Sequence, residues 1–259
     1  MVEVTRKNAD RIVPLLCGRE EGLVDSFLQG YMGRAWADNL EAPASAQILV
    51  GDFCFFAGVP DVRLVRNIPA AFSSDFLLMV PQNEAWSALI QKTYGGSCEK
   101  ILRYAIKKEP NVFNREKLLS YTQTIKPPYR LQMMDEALYR RAKAESWSRD
   151  LCSQFSVYKD YQAHGIGVMA VSEGGPVSGA SSYCVYDNGI EIEVDTKPDL
   201  RQQGFALACC AKLILECMER KIYPSWDAHD LRSVSLAERL GYHLDRPYTA
   251  YIVSNLHQR

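Results

Sequence analysis

Long apolar runs are missing from this sequence: nowhere do eighteen apolar residues follow one another, so no segment has the form of a membrane-spanning helix. The N-terminus, Met1-Val2-Glu3-Val4-Thr5-Arg6-Lys7, has no apolar stretch behind its charges, so no export signal is expected and a cytoplasmic protein is. An excess of charge is missing too. Thirty basic residues stand against thirty-one acidic ones, and no basic block exists of the kind that tracks a phosphate backbone or an anionic bilayer. Nucleic acid and membrane are therefore not expected as partners. Metal-binding spacing is also absent: none of the eight cysteines forms a CxxC pair, and the four histidines (His164, His229, His243, His257) are scattered. The cysteines read as packing thiols of a reducing compartment, and no metal is expected.

What the chain has is length and apolar content. Its 259 residues are 47% hydrophobic, enough to bury the core of one large domain or two small ones. Two domains are expected, 1–126 and 127–259, because Pro127-Pro128 forbids helix and disfavours a central strand. In the first, helical spacing from Asp10 to Leu40 predicts two or three short helices punctuated by Gly18, Gly22, Gly30 and Gly33. Gln47 to Gly58 predicts a hairpin about Gly51-Asp52, and Phe76 to Val80 a strand. Asn83 to Ile106 reads as a helix broken at Gly95-Gly96, and Phe113 to Tyr121 as another. The first half is thus α+β without a motif that carries chemistry, and no internal repeat is visible.

Beyond Lys126 the predicted order is strand (129–134), helices (136–145 and 148–155), and strands at 166–172, 177–186 and 190–196. A long helix (203–220), a strand (223–228), a helix (231–240) and a last strand (242–253) complete it. The long helix is amphipathic, with Ala206, Cys210, Leu213, Ile214, Cys217 and Met218 on one stripe and Lys212, Glu216, Glu219 and Arg220 opposite. Just before it, Arg201-Gln202-Gln203-Gly204-Phe205-Ala206 fits R-x-x-G-x-A. A helix start presents unpaired N–H groups and partial positive charge, and Gly204 and Ala206 leave room for a pyrophosphate there. Arg201 adds a cation at the same place.

These residues, with the downstream run Ser233-Val234-Ser235-Leu236-Ala237-Glu238-Arg239-Leu240-Gly241-Tyr242, resemble the GNAT acyltransferase superfamily. With Tyr223-Pro224-Ser225-Trp226-Asp227-Ala228 between them, they are similar to the branch that includes zwittermicin A resistance acetyltransferases. The resemblance covers about Tyr129 to Val253. It implies a mixed, mainly antiparallel sheet flanked by helices, preceded by a smaller α+β domain. It also implies acetyl-CoA as co-substrate and a small-molecule amine as acceptor. By resemblance, Val194, Asp195 and Thr196 hydrogen-bond the pantetheine arm like an added strand, and the amides of Gln202, Gln203, Gly204, Phe205 and Ala206 hold the pyrophosphate. The helix from Leu231 then lies beside the thioester.

Acyl transfer to an amine needs a base for the nucleophile, a donor for the carbonyl oxygen and a proton for the leaving thiolate. Glu191, Glu193 and Asp195 alternate onto one strand face, opposite Ile190, Ile192 and Val194. Such a face opens onto a wet cleft or is a solvated surface. On the first reading Glu193 is the leading candidate base, followed by Glu191 and Asp227. The superfamily's thiolate acid, a tyrosine in the last helix, is replaced by Ala237, and the asparagine that often starts that helix by Asp230. Ser235, Tyr242, Tyr248 or solvent remain as proton donors. A CoA-binding regulatory or scaffold protein is the alternative function, and a tandem aminoacyl transferase with a degenerate first copy a third. Assembly as monomer or homodimer is left open.

Overall fold

A computed structural model describes residues 1–16, 21–70, 72, 74 and 76–254. Cys17, Gly18 and His257 lie outside the described residues. The chain divides into two compact units, Met1–Arg103 with Pro247–Arg259, and Tyr104–Arg246. The expected junction at Lys126 therefore falls inside the second unit. Prolines mark a local break in the chain, whereas membership of a unit follows long-range pairing.

The first unit opens with β1 (Val2–Val4), a 3-10 turn at Arg6–Ile12, α1 (Val13–Leu16), α2 (Gly22–Leu28) and β2 (Arg34–Ala37). It continues with β3 (Ser45–Val50), β4 (Phe53–Gly58), α3 (Val62–Val65), β5 (Phe76–Val80), α4 (Glu84–Tyr94) and β6 (Cys98–Ile106), which crosses into the second unit. The second unit holds α5 (Arg115–Thr122), β7 (Arg130–Met133), α6 (Glu136–Ala144), a 3-10 turn at Arg149–Cys152 and α7 (Tyr158–His164). Then come β8 (Gly167–Ser172), β9 (Gly175–Tyr186), β10 (Gly189–Thr196), α8 (Phe205–Arg220), β11 (Tyr223–Ser225), β12 (Asp227–Ala228) and α9 (Leu231–Leu240). The last strand, β13 (Leu244–Ser254), crosses back. The chain is α+β, as expected.

In the first unit the strands run β1-β2-β3-β4-β5-β13. All neighbours are antiparallel except β4 and β5. The hairpin at Gly51-Asp52 forms, with Val50 opposite Phe53 and Gly51 at φ 59°, a conformation glycine adopts without strain. Trp86 and Ile90 of α4 pack with Phe56, Met79, Leu77 and Tyr251 in the core. In the second unit the sheet runs β11-β10-β9-β8-β7, again antiparallel except for one parallel pair, β10 with β11. Each unit thus has four antiparallel strands followed by a parallel neighbour. No internal repeat in the sequence announces this order, although a degenerate first copy is among the readings above.

Three further elements differ from expectation. The helix expected to continue from Gly95 to Ile106 is the strand β6, whose Ala105 and Tyr104 pair with Asp227 and Ala228. Tertiary pairing overrides the helix-like spacing of its apolar residues. The single strand expected at 223–228 is two, parted at Trp226, because β11 pairs with β10 and β12 with β6. The helix expected at 148–155 is the 3-10 turn Arg149–Cys152, and α7 follows it unannounced.

Candidate functional site

β10 and α8 form as their patterns predict. α8 buries Leu213, Ile214, Cys210 and Cys217 completely, and it packs on β8, β9 and β10. Leu213 and Ile214 each add roughly 1.5–3 kcal/mol of apolar burial, so the helix and its N-terminal loop stand on a firm base. Burial pushes the thiols of Cys209 and Cys217 up to about 12, which marks them as packing groups.

The parallel pairing of β10 with β11 covers Gly189 opposite Tyr223, Ile190 opposite Pro224 and Glu191 opposite Ser225. There β11 ends, while β10 runs on to Thr196. Among the described residues no strand pairs that edge of β10 beyond Glu191. A bulge lies at the same point: the β9 register slips between Glu191 and Ile192, leaving Tyr183 as the extra residue. Bulges sharpen the local twist, which turns β10 away from its parallel neighbour. Trp226 then carries the chain off to β12, with its indole Nε1 donating to Ser233 Oγ of α9 at 3.0 Å. The Tyr242 hydroxyl donates to Pro224 O at 2.6 Å and secures the same corner.

The unpaired edge leads directly to the start of α8. Gly204 is its N-cap in the left-handed region (φ 85°, ψ −1°), and no side chain caps the helix. The first helical bond is Ala208 N to Gly204 O at 3.1 Å, so the amides of Phe205, Ala206 and Leu207 precede the helical ladder. A methyl group placed on Gly204 would meet nothing within 4 Å. Gln202 also has positive φ, and residues 201 to 204 are exposed. Phe205 turns inward onto the Tyr129 ring, 4.7 Å between centroids, and fixes where the helix begins. Arg201 is held back against β10: its Nε donates to Thr196 O at 3.3 Å, and its guanidinium lies 3.7 Å from Asp195.

Cross-strand partners identify the faces of β10. Thr196 and Ser178 share a hydrogen bond of 2.7 Å on the α8 side, where Cys209 also bonds Ser178. Asp195 stands opposite Gly179, where a Cβ would meet Leu151 of the 3-10 turn, and Glu193 stands opposite Ser181, which bonds the Tyr161 hydroxyl of α7 at 2.8 Å. The three carboxylates therefore share the face covered by the 3-10 turn and α7. This face is not a plain solvated surface: Glu191 is only 8% exposed, and Glu193 and Asp195 are half-buried. Burial raises the Asp195 pKa, against the lowering effects of the Thr196 amide and Arg201.

The remaining expected residues are placed as follows. Asp227 is half-buried on β12, past the Trp226 break. His229 is exposed. Asp230 caps α9, accepting from Ser233 N at 2.9 Å. Ala237 is fully buried in α9, and Ser235 is exposed. Tyr242 is also buried, with its phenol pushed well up by desolvation and already donating to Pro224, so it is no proton donor for a cleft. Tyr248 belongs to the first unit. Among the described residues no three His, Cys, Asp or Glu side chains come together as a metal ion would need.

A profile of the GNAT acetyltransferase family matches residues 13–251. The chain belongs to the GNAT acetyltransferase family. It is similar to a GCN5-related N-acetyltransferase-like protein from Streptococcus suis, with 39% identity, TM-score 0.90, and coverage of 96% of this chain and 99% of that one. A GCN5-related N-acetyltransferase from Kribbella flavida shares the fold at 16% identity (TM-score 0.52, 97% and 96% covered). So does a tandem GNAT protein from the clavulanic acid biosynthesis pathway, at 8% identity (TM-score 0.56, 98% and 97% covered). No curated protein sequence shows a significant match.

Two groups at this GNAT site were not anticipated. One is the buried Tyr161–Ser181 pair beside Glu193, in which Ser181 Oγ also donates to Ile166 O at 3.2 Å. The other is Glu145, which accepts from Trp147 Nε1 at 2.7 Å and Arg141 Nε at 3.2 Å and pairs with Lys197 at 3.3 Å. It ties the end of α6 to the loop that precedes Arg201. Neither has a signal in the sequence, since each depends on strands or loops far apart in the chain. Among the described residues no helix is long and apolar enough to cross a membrane.

Proposed function

We propose that the chain is an N-acetyltransferase that moves the acetyl group of acetyl-CoA onto an amine of a small molecule. The observation that carries this reading is the edge of β10, unpaired by any strand beyond Glu191, running into an uncapped helix start at Gly204. A pantetheine arm is an extended chain with amides, and it fits a strand edge. A pyrophosphate fits backbone N–H groups at the positive end of a helix. The open space at Gly204 leaves room for that group.

On this reading Val194, Asp195 and Thr196 line the arm, and the amides from Gln202 to Ala206 hold the diphosphate. Arg201, docked on Thr196 O, shapes the loop. When bound, acetyl-CoA supplies an activated acyl thioester. Glu193 takes the proton from the incoming ammonium, directly or through water, with Glu191 and Asp227 as the further carboxylates. Half-burial and like charges favour the proton-holding form of one carboxylate, which suits a base working near neutral pH. The Val194 amide is the donor for the carbonyl oxygen. The buried Ala237 offers no acid, so the thiolate takes its proton from solvent or from the exposed Ser235.

That same alanine favours a second reading, a CoA-binding regulatory protein without turnover. The test is thiol release from acetyl-CoA across a panel of small amines, run beside calorimetric CoA binding. Amine-dependent release supports the transferase. Saturable CoA binding without release under any amine supports the second reading, and absence of binding removes both.

A further inference from the structure

We propose that the first unit is a second copy of the transferase plan whose acyl-CoA slot is filled by its own side chains, so that each chain holds one acyl-CoA, in the second unit. The inference rests on the reading of β10 and α8 given above.

The copies can be aligned by their parallel strand pairs. In the first unit Phe53 stands opposite Leu78, Cys54 opposite Met79 and Phe55 opposite Val80, after which β4 runs on to Gly58. In the second, the three pairs are Gly189 with Tyr223, Ile190 with Pro224 and Glu191 with Ser225. Matching the pairs puts Phe55 on Glu191, Ala57 on Glu193 and Gly58 on Val194. The chain after each strand is alike as well: Pro60-Asp61-Val62-Arg63 in one, Pro198-Asp199-Leu200-Arg201 in the other.

At the position that matches Val194 the strand edge is occupied. Gly58 N donates to Gln82 Oε1 at 2.8 Å, and Trp86 Nε1 donates to Gly58 O at 2.9 Å. The Gln82 amide also donates to Leu15 O at 2.7 Å, so it bridges two chain segments as an added strand would. Trp86 is fully buried and stacked on Phe56, with centroids 4.9 Å apart, so this plug is part of the core. Opening it would leave part-buried backbone groups of Gly58 without these hydrogen bonds.

Among the described residues the helix between β4 and β5 is the four-residue α3, where the second unit has the sixteen-residue α8 between β10 and β11. The Pro-Asp match sets Asp61, the N-cap of α3, on Asp199 and not on Gly204, and among the described residues no helix starts at the place of Gly204. No carboxylate stands on β4 at the positions of Glu191 and Glu193, which Phe55 and Ala57 occupy.

The test is calorimetric titration of the full chain with CoA, paired with hydrogen exchange. Expected are one site per chain in the wild type, the same site weakened roughly ten- to a hundredfold in Gly204→Asp, and slowed exchange for peptides spanning 194–206 with no change across 57–63. Two sites in the wild type, one of them unweakened in Gly204→Asp, or slowed exchange across 57–63, would overturn the closed copy while leaving the second-unit site intact. No binding to the wild type, or one site unaffected by Gly204→Asp, would instead overturn the reading of Gly204 and the inference with it.

Discussion

The pyrophosphate cradle is tested most directly by comparing Gly204→Asp with Gly204→Asn. The two variants have nearly the same shape, and both residue types tolerate the left-handed conformation that Gly204 adopts at φ 85°. A side chain here enters open space, so neither variant is excluded sterically. They differ by one negative charge at the mouth of the helix. At about 5 Å and an effective dielectric of about 20, that charge meets a repulsion of about 3 kcal/mol per unit charge on the diphosphate. The loop is exposed, and salt screens such charges, so about half of this is expected to survive. Gly204→Asp should therefore bind CoA roughly ten- to a hundredfold more weakly than Gly204→Asn, at about 1.4 kcal/mol per factor of ten. The gap should narrow as salt is raised. Asp is a good N-cap, so the weakened binder should melt no lower than its Asn counterpart. Titration of both variants with CoA at two salt concentrations is the assay. Equal affinities would refute the claim that these amides face the diphosphate.

Glu193→Gln should lower kcat by about 10²–10⁴ while leaving CoA affinity unchanged; turnover near the wild-type value would remove Glu193 as the base. Tyr242→Phe should lose about 1–2 kcal/mol in urea denaturation, because Pro224 O is left without its buried donor. Its turnover should hold, and a collapse of turnover in a stable variant would restore Tyr242 as a catalytic acid. Glu145 has its pKa lowered, first by the Trp147 hydrogen bond and then by Arg141 and Lys197, against desolvation. A depressed folded pKa gives stability that is present above the ordinary value of 4.5 and lost as pH falls through the lower folded value. The melting temperature of Glu145→Gln should therefore vary less than that of wild type below pH 4.5, and parallel curves would count against the triple contact.

Much of the site was legible because its determinants are local. The strict alternation of β10, the glycine before α8 and the apolar stripe of α8 each lie within one short window, and α9 begins and ends where its cap residues place it. The strand pairings were not legible. β6 carries Glu99, Lys100 and Arg103 among its apolar residues in a pattern that suits a helix, and its neighbours β13 and β12 make it a strand. The break at Trp226 is set by which strand each side of it meets. The doubling of the plan is hidden for the same reason, since the copies share strand order while their residues diverge. Ala57 against Glu193, and the short α3 against α8, leave a resemblance in pairing with little in composition. The catalytic role of the β10 carboxylates rests on a cleft that no single window encodes.

The first unit is not a continuous piece of chain. β5, near its middle, takes as neighbour the segment of β13 from Tyr251 to Ser254, which pairs with Met79 to Phe76 from far downstream in the chain. During synthesis, then, β1 to β5 lack a strand of their sheet until the segment from Tyr251 has left the ribosome. A chain cut short between β5 and Tyr251 therefore leaves the first unit incomplete, although most of its residues are already made.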